Sequence, residues 1–215
     1  MQLKTNPPEI LNRYTSLPIL LDILTRREIF LLNPATWEDG NDRIYVEEYR
    51  LKKKLEAVLA ICFTTRPHTF HHWKIFSGGV GGVCIQFDKL KFLQHVRKVH
   101  GTLFKTVTYK TVNELRQQSP DLKEWPFLKR WPYRDEEEFR VIYETRDPDE
   151  QLKGISFDLG CIRRITLSPW LPFSVFKTVK MMIKTINGCE KLPIYRSTLL
   201  NNADWRAAIR RKHKV

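Results

Sequence analysis

The sequence predicts an α+β fold: a bent, mostly antiparallel and split β-sheet flanked by helices. Three observations lead there. Apolar runs of strand length recur, among them AVLAICFT (Ala57 to Thr64), VCIQF (Val83 to Phe87) and FRVIYE (Phe139 to Glu144). Stretches with helical spacing lie between them. The two kinds are interspersed without the regular strand–helix alternation that builds a parallel sheet. With 215 residues, 42% of them hydrophobic and 28% charged, the chain is long and apolar enough to bury a core. One domain over residues 1–215 is expected, closing in a basic tail from about residue 203.

The elements follow in order. Pro7–Pro8 precedes a short segment ending at Arg13–Tyr14. Leu17, Leu20, Leu21 and Leu24 have helical spacing over Leu17 to Arg27, with Ser16 as N-cap and Pro18 at an early helical position that tolerates it. Ile29 to Leu32 is a short strand stopped by Asn33–Pro34. Thr36 to Asp42 (TWEDGND) is loop-like, and Arg43 to Lys54 is a largely charged helix. The strand Ala57 to Thr64 comes next, then the segment His71–His72–Trp73 to Phe76. A glycine cluster, Ser77–Gly78–Gly79–Val80–Gly81–Gly82, leads into the strand Val83 to Phe87. Leu90 to Val99 is helical and Leu103 to Tyr109 a strand; Val112 to Arg130 carries one or two helices. The strands Phe139 to Glu144 and Gly160 to Leu167 precede a basic amphipathic helix, Phe173 to Ile186, and Pro193 to Tyr195 makes a last short strand.

Charge is the strongest compositional fact. Lys and Arg number 37 against 24 Asp and Glu, a net charge of +13, with an isoelectric point near 9.7. Such a field attracts polyanions, with nucleic acid first, anionic membranes second, and nucleotides also served. The excess reads as spread along the chain, with one compact basic run at the C-terminus: Arg206, Arg210, Arg211, Lys212 and Lys214. No apolar run is long enough to span a membrane and MQLKTNPPEI lacks the apolar core of a signal peptide, so a cytoplasmic protein without a membrane partner is expected. Cys62, Cys84, Cys161 and Cys189 are dispersed, with no Cys-x-x-Cys pair, which predicts buried reduced thiols and no structural zinc.

The segment most suggestive of chemistry is WPYRDEEEFR (Trp131 to Arg140). Four consecutive carboxylates, Asp135 to Glu138, run into the apolar Val141–Ile142–Tyr143. At period two, Glu136, Glu138 and Arg140 share one face of a strand, and Glu137, Phe139 and Val141 the other. A carboxylate on a rigid strand has fixed geometry, as catalysis or binding requires. The plainer alternative is a solvated charge run. Arg13–Tyr14 offers a bidentate clamp for phosphate or carboxylate, against the alternative of a surface arginine paired with an acid. Together Arg13, Trp37 with Asp39, Trp73 and Glu138 place polar beside aromatic residues at element ends, as a pocket for a flat, charged ligand does.

Other chemistries find less. The glycine cluster lacks the Gly-x-x-x-x-Gly-Lys-[Ser/Thr] pattern and precedes a strand, so a tight turn or a close backbone approach explains it, with a ligand-facing loop as the alternative. His68, His71 and His72 have no carboxylate or cysteine alongside, and adjacent histidines on a strand point to opposite faces, so no metal site is expected. There is no Gly-x-Ser-x-Gly elbow.

The order of motifs resembles a large bacterial family, domain of unknown function 2971. The counterparts here are NRYTS (Asn12–Ser16), PATWEDGND (Pro34–Asp42), CFT (Cys62–Thr64), HWKIF (His72–Phe76), GVCIQF (Gly82–Phe87), EEEFR (Glu136–Arg140) and IYRSTL (Ile194–Leu199). Glu38 stands where the family has Asn, the Pro after Asp39 is absent, and His72 and Phe76 replace Met and Tyr; these departures bear on ligand specificity more than on fold. More distantly, an early Arg on the first strand, a central aromatic motif and a late Glu opening a strand resemble the three-part site of ADP-ribosyltransferases, including their DNA-modifying toxin branch.

That resemblance implies NAD as substrate. Glu138 would be catalytic, with Glu136 orienting the acceptor. Arg13, Tyr14, Trp37, Asp39, His72, Trp73 and Phe76 would contact NAD, and Arg206, Arg210, Arg211 and Lys212 would dock DNA or RNA. A toxin or phage-defence role with an antitoxin or defence-system partner would follow. Two readings compete: a non-catalytic nucleic-acid-binding module, and a magnesium nuclease using Asp39, Asp42, Glu136 and Glu138. Carboxylates converging away from Arg13 favour the nuclease. Glu138 facing Arg13 beside aromatic rings favours the transferase.

Overall fold

Strand β1 (Ile10–Ser16) lies at the middle of the main sheet in the computed structural model, which describes residues 9–211. It is followed by α1 (Leu17–Arg26), β2 (Glu28–Leu31), α2 (Gly40–Lys52), β3 (Ala57–Thr64), α3 (Phe70–Phe76), β4 (Gly82–Asp88) and α4 (Lys89–Val96). Then come β5 (Thr102–Thr106), β6 (Thr108–Lys110), α5 (Val112–Gln117), β7 (Leu128–Arg130), β8 (Glu138–Thr145) and β9 (Lys153–Ser156). The last elements are β10 (Ile162–Leu167), α6 (Phe173–Lys184), β11 (Ile194–Arg196) and α7 (Ala203–Arg211). Among the described residues the main sheet has seven strands in the order β11-β10-β4-β1-β3-β8-β5. Only the edge pair β10–β11 is parallel. The expected mostly antiparallel α+β sheet is therefore observed.

The sheet is split where β1 turns from the apolar Ile10–Leu11 to the polar Asn12–Arg13. β1 pairs with β4 along its whole length, from Ile10↔Asp88 to Ser16↔Gly82, but meets β3 at one registered pair, Asn12↔Thr64. Beyond that pair Arg13 reaches across, and its Nη1 donates to the Cys62 carbonyl at 3.0 Å. The side chain supplies the donor that a neighbouring strand would otherwise provide.

Alternation assigns the two faces different work. One face (Leu11, Ile61, Phe63, Ile85, Phe87, Val141) forms the principal core with α1, α4 and the β2–β9 pair. Its centre is aromatic: the Phe87 ring lies 4.9 Å from Phe92, 5.5 Å from Phe157 and 5.9 Å from Phe63. The opposite face carries two smaller clusters. Val46 and Tyr49 of α2 pack with Phe127 on Val58, Ala60 and Ile142, while Tyr14, Trp73 and Cys84 pack together with Trp170. Between these clusters the strands present Asn12, Thr64, Gln86, Glu138 and Arg140, all buried, together with Cys62. A buried polar band between two apolar anchors is the frame of the site.

Several sequence expectations need correction. TWEDGND is not all loop: Asp39 caps α2 by accepting from the Asn41 N–H at 3.0 Å, so the helix starts at Gly40. The His71–His72 segment is helical rather than extended, capped by Thr69, although His71 is still exposed and His72 buried. Leu103 to Tyr109 is two strands in two sheets, because β6 leaves β8 to pair with β7. Residues 112–130 hold α5, a 3₁₀ turn and β7; β9 was not foreseen. The tail from 203 is a helix to Arg211; Lys212 lies outside the described residues. Cys62 is only partly buried, unlike the other three thiols. The glycine cluster is the expected turn: Gly78 and Gly79 have φ of 71° and 78°, and a Cβ on Gly82 would fall 2.4 Å from the Ser77 carbonyl oxygen.

Phe87→Ala removes the ring at the centre of the aromatic core. It should lower unfolding stability by about 3–5 kcal/mol in urea titration, with the same secondary structure by circular dichroism.

Candidate active site

The polar band is organised around Arg140. β8 places its side chain on the same face as Glu138, two residues earlier, and burial leaves it no solvent. Its Nε and Nη2 donate to the two oxygens of Glu138 at 2.7 and 3.0 Å. Its Nη1 and Nη2 donate to both oxygens of Asp42, in the first turn of α2, at 2.8 and 2.7 Å. Nη1 also donates to the Pro126 carbonyl at 2.8 Å, and the guanidinium lies 4.5 Å from the centre of the Trp37 ring. One guanidinium thus engages two carboxylates, a backbone carbonyl and an aromatic face.

Lys129 adds the second cation. Its ammonium lies 2.5 Å from Glu136, 3.4 Å from Glu138 and 3.8 Å from Asp42. Three carboxylates therefore share two cations, and Arg13, bonded to the Cys62 carbonyl, acts on Glu138 through its charge alone. The carboxylates respond differently. Burial would raise the Glu138 carboxyl, but Arg140 and Lys129 reverse this and hold it at about 2, so it is ionised at neutral pH. Burial prevails at Asp42 and Glu136, whose carboxyls sit above their ordinary range despite Arg140 and Lys129. Lys129 is held charged, well above its ordinary value, against the burial that would discharge it. The Cys62 thiol is pushed up by burial and by the Glu138 charge, and is neutral.

Backbone contacts fix Glu138 at the strand mouth. Its N–H donates to the Tyr109 hydroxyl at 2.8 Å. The preceding Glu137 adopts a left-handed conformation (φ 42°) that turns the chain out of a 3₁₀ segment into β8. Glu136 thus lies before the strand rather than on it, yet Lys129 draws its carboxylate to the same band as Glu138.

An aromatic shelf adjoins the band. The Tyr14 ring is 5.2 Å from Trp73, 5.7 Å from His72 and 6.0 Å from His68. His72 Nε2 lies 3.3 Å from the Glu136 carbonyl, and its Nδ1 2.6 Å from the Thr69 hydroxyl. A carbonyl only accepts, so Nε2 carries the proton and Nδ1 accepts from Thr69. Burial lowers His72, and lowers His68 to about 4 with help from the Arg164 charge, so both are neutral at pH 7. Within the shelf three buried polar atoms, Tyr14 Oη, Trp73 Nε1 and His68 Nε2, have no hydrogen-bond partner. A buried polar group without a partner is costly, and an ordered water or a ligand would relieve it.

The remaining expected residues fall in different places. Trp37 covers Arg140. Asp39 spends one oxygen on the α2 cap and has its other oxygen buried without a partner. Phe76 is exposed, 5.8 Å from His72 at the shelf rim. Arg206 and Arg210 are exposed on α7, apart from the band; Arg211 closes that helix. Lys129 and Tyr109 join the band although no motif singled them out, and Asp42, expected only as a metal ligand beside Glu136 and Glu138, is instead paired with Arg140, 98 residues away in sequence. Among the described residues no group of three or more His, Cys, Asp or Glu could hold a metal ion, and the cations of Arg140 and Lys129 stand between the carboxylates.

No family model and no curated protein matches the sequence. Among solved structures, Thermus sp. 2.9 DarT in complex with NAD+ is similar, with 13% identity, a TM-score of 0.47, and coverage of 90% of this chain and 98% of that one. Thermus sp. 2.9 DarT in complex with ADP-ribosylated ssDNA gives 14% identity, a TM-score of 0.46, and coverage of 90% and 97%. At such identities the likeness assigns no residue.

Two outcomes follow from the Arg140 network. Arg140→Met strands two buried carboxylates and should cost about 3–5 kcal/mol of stability in denaturant titration. Glu138 titrates at about 2 in the folded chain against an ordinary 4.5, so its stabilisation is complete above pH 4.5 and lost as pH falls toward 2. Replacing it with Gln should flatten the loss of stability over that interval.

Proposed function

We propose that the chain transfers ADP-ribose from NAD to a nucleic acid or a nucleic-acid-associated target. The observation that carries the reading is the placement of Glu138: ionised, fixed at the mouth of β8, on the face that also holds the Tyr14–His72–Trp73 shelf, with the charge of Arg13 acting on it from the β1–β3 junction. His72 joins the two parts through the Glu136 carbonyl. The resemblance of an early Arg, a central aromatic motif and a late Glu to the three-part site of ADP-ribosyltransferases supports the same reading.

The chemistry fits these residues. Breaking the bond between nicotinamide and ribose develops positive charge on the sugar, as in glycoside hydrolysis. An ionised carboxylate already oriented by Arg140 stabilises that charge without reorganising. Arg13 uses Nη1 on the Cys62 carbonyl, and among the described residues its other guanidinium nitrogens have no hydrogen-bond acceptor, so they serve the NAD phosphates or a ribose. Phe76, exposed at the shelf rim, supplies flat surface for nicotinamide, and Tyr14 and Trp73, buried within the shelf, back it by their packing. Trp37 and Asp39 border the band. Glu136, raised by burial, accepts the acceptor's proton as nicotinamide departs and the new bond to ribose forms. Arg206 and Arg210, with Arg211 and Lys212 beyond, form a basic end for the polyanionic target. A toxin or defence effector with an antitoxin or defence-system partner fits this activity.

A magnesium nuclease fits less well, since Arg140 and Lys129 already neutralise Asp42, Glu136 and Glu138, and Asp39 caps a helix. No described helix is long and apolar enough to cross a membrane.

The decisive assay is nicotinamide release from NAD by wild type and by Glu138→Gln, with and without DNA, RNA or cell lysate. Wild type should release nicotinamide, with stimulation by one acceptor, and the variant should lose at least 100-fold while retaining NAD binding. Absence of both binding and release under every condition would leave the nucleic-acid module as the function.

A further inference from the structure

The positive charge is not spread evenly after all. Residues 159–215 hold 12 Lys and Arg against two acids, Glu190 and Asp204, and so account for +10 of the +13. Between Asp158 and Glu190 there is no acidic residue. This stretch builds β10, the Trp170 turn and α6.

One pattern recurs on its surface and on α3. In Phe70–Lys74, Phe173–Lys177 and Phe176–Lys180 an aromatic ring precedes a lysine by four residues, so the two share a helix face. The ammonium groups lie 5.9, 4.8 and 5.8 Å from the ring centres, and Lys74 also lies 4.9 Å from the Trp170 ring. Among the described residues none of these three lysines has an acidic partner within ion-pair distance. Phe70 and Phe173 are 44% and 60% exposed, and Phe173 and Phe176 stack with centres 5.9 Å apart. The α3 part of this surface adjoins the site, because Trp170 contacts Phe70 and packs on the Tyr14–Trp73–Cys84 cluster, and α6 follows the Trp170 turn in the chain while packing Phe176 on the principal core.

From this we infer that α6, the Trp170 turn and the outer side of α3 form a docking surface for single-stranded nucleic acid, which leads to the aromatic shelf. Bases stack on the exposed rings while the neighbouring lysines meet phosphates. Duplex offers no unpaired base to those rings. An anionic membrane suits helices whose apolar and basic residues occupy opposite faces, whereas here ring and cation share one face. The inference refines the acceptor class of the transfer proposed above and rests on that reading for its catalytic meaning, but the binding itself is independent of NAD.

The test is fluorescence anisotropy of the full chain with a labelled 20-nucleotide oligothymidylate or oligouridylate, a duplex of the same length, and phosphatidylserine vesicles as competitor. At least one single strand should bind more tightly than duplex. The triple variant Lys74→Glu, Lys177→Glu, Lys180→Glu should weaken it at least 10-fold and reduce the slope of log affinity against log salt by about 2. Phe173→Ala should weaken it about 5- to 100-fold. Unaltered melting would show the variants folded, as expected for side chains at the surface. Equal affinity for duplex, an unchanged triple variant, or occupation by vesicles in preference to the strand would overturn the inference. Nicotinamide release from NAD alone should be the same in wild type and the triple variant. Strand binding without any release would remove the transferase reading and leave the surface standing; release without strand binding would do the reverse.

Discussion

Arg140 holds the site together. Its guanidinium ties β8 to the first turn of α2 through Asp42, to the 3₁₀ turn before β7 through Pro126, and to Glu138 on its own strand, with Trp37 covering it. None of these groups is adequately solvated, so each depends on the others. Buried ion pairs seldom add net stability over a well-packed apolar alternative, because both partners are stripped of water. What this cluster provides is a defined geometry: a carboxylate that is ionised, shielded and aimed. The apolar clusters on either side of the band keep it dry enough for that geometry to matter.

The division of the sheet into two faces follows from simple alternation, yet the consequences differ. On the principal face alternation delivers Leu, Ile, Val and Phe to one continuous core that carries the stability of the fold. On the other, the same strands deliver Asn12, Cys62, Thr64, Glu138 and Arg140. Asn12 shows how such a face is made tolerable, donating to the Arg66 carbonyl and accepting from Gln86. Of the five buried atoms without partners among the described residues, three (Tyr14 Oη, Trp73 Nε1 and His68 Nε2) lie in the aromatic shelf, where ligand contact is proposed.

Much of the fold was legible because β-branched and aromatic runs are strong local signals. Ala57–Thr64 matched β3 residue for residue, and β4, β8, α1 and α6 differed from expectation by a few residues at their ends. The misses have local causes. FHHWKIF carries little helical periodicity, and its useful sign was Thr69 three residues before His72; α7 likewise starts from Asn202, which accepts from the Trp205 N–H. In the site, Glu138 was visible because acids gave way abruptly to apolar residues. Alternation put Arg140 on the same face as Glu138, but its burial and its second carboxylate partner appear only in the structure. That this carboxylate is Asp42 was not readable, since only the tertiary fold brings α2 over β8.

The junction between β1 and β3 has a mechanical consequence. On one side of it β11, β10, β4 and β1 form a slab, and on the other β3, β8 and β5 form a second, each internally laced by full backbone ladders. Among the described residues the backbone joins the slabs at a single registered pair, Asn12 with Thr64, helped by the side chains of Arg13 and Asn12, which donate to the Cys62 and Arg66 carbonyls. Fewer backbone bonds thus cross the seam than hold either slab, and apolar packing such as Phe63 on Phe87 carries the rest of the junction. Tyr14 belongs to the first slab and Glu138 to the second, so a small rotation about the seam alters the gap between ring and carboxylate while both retain their own surroundings.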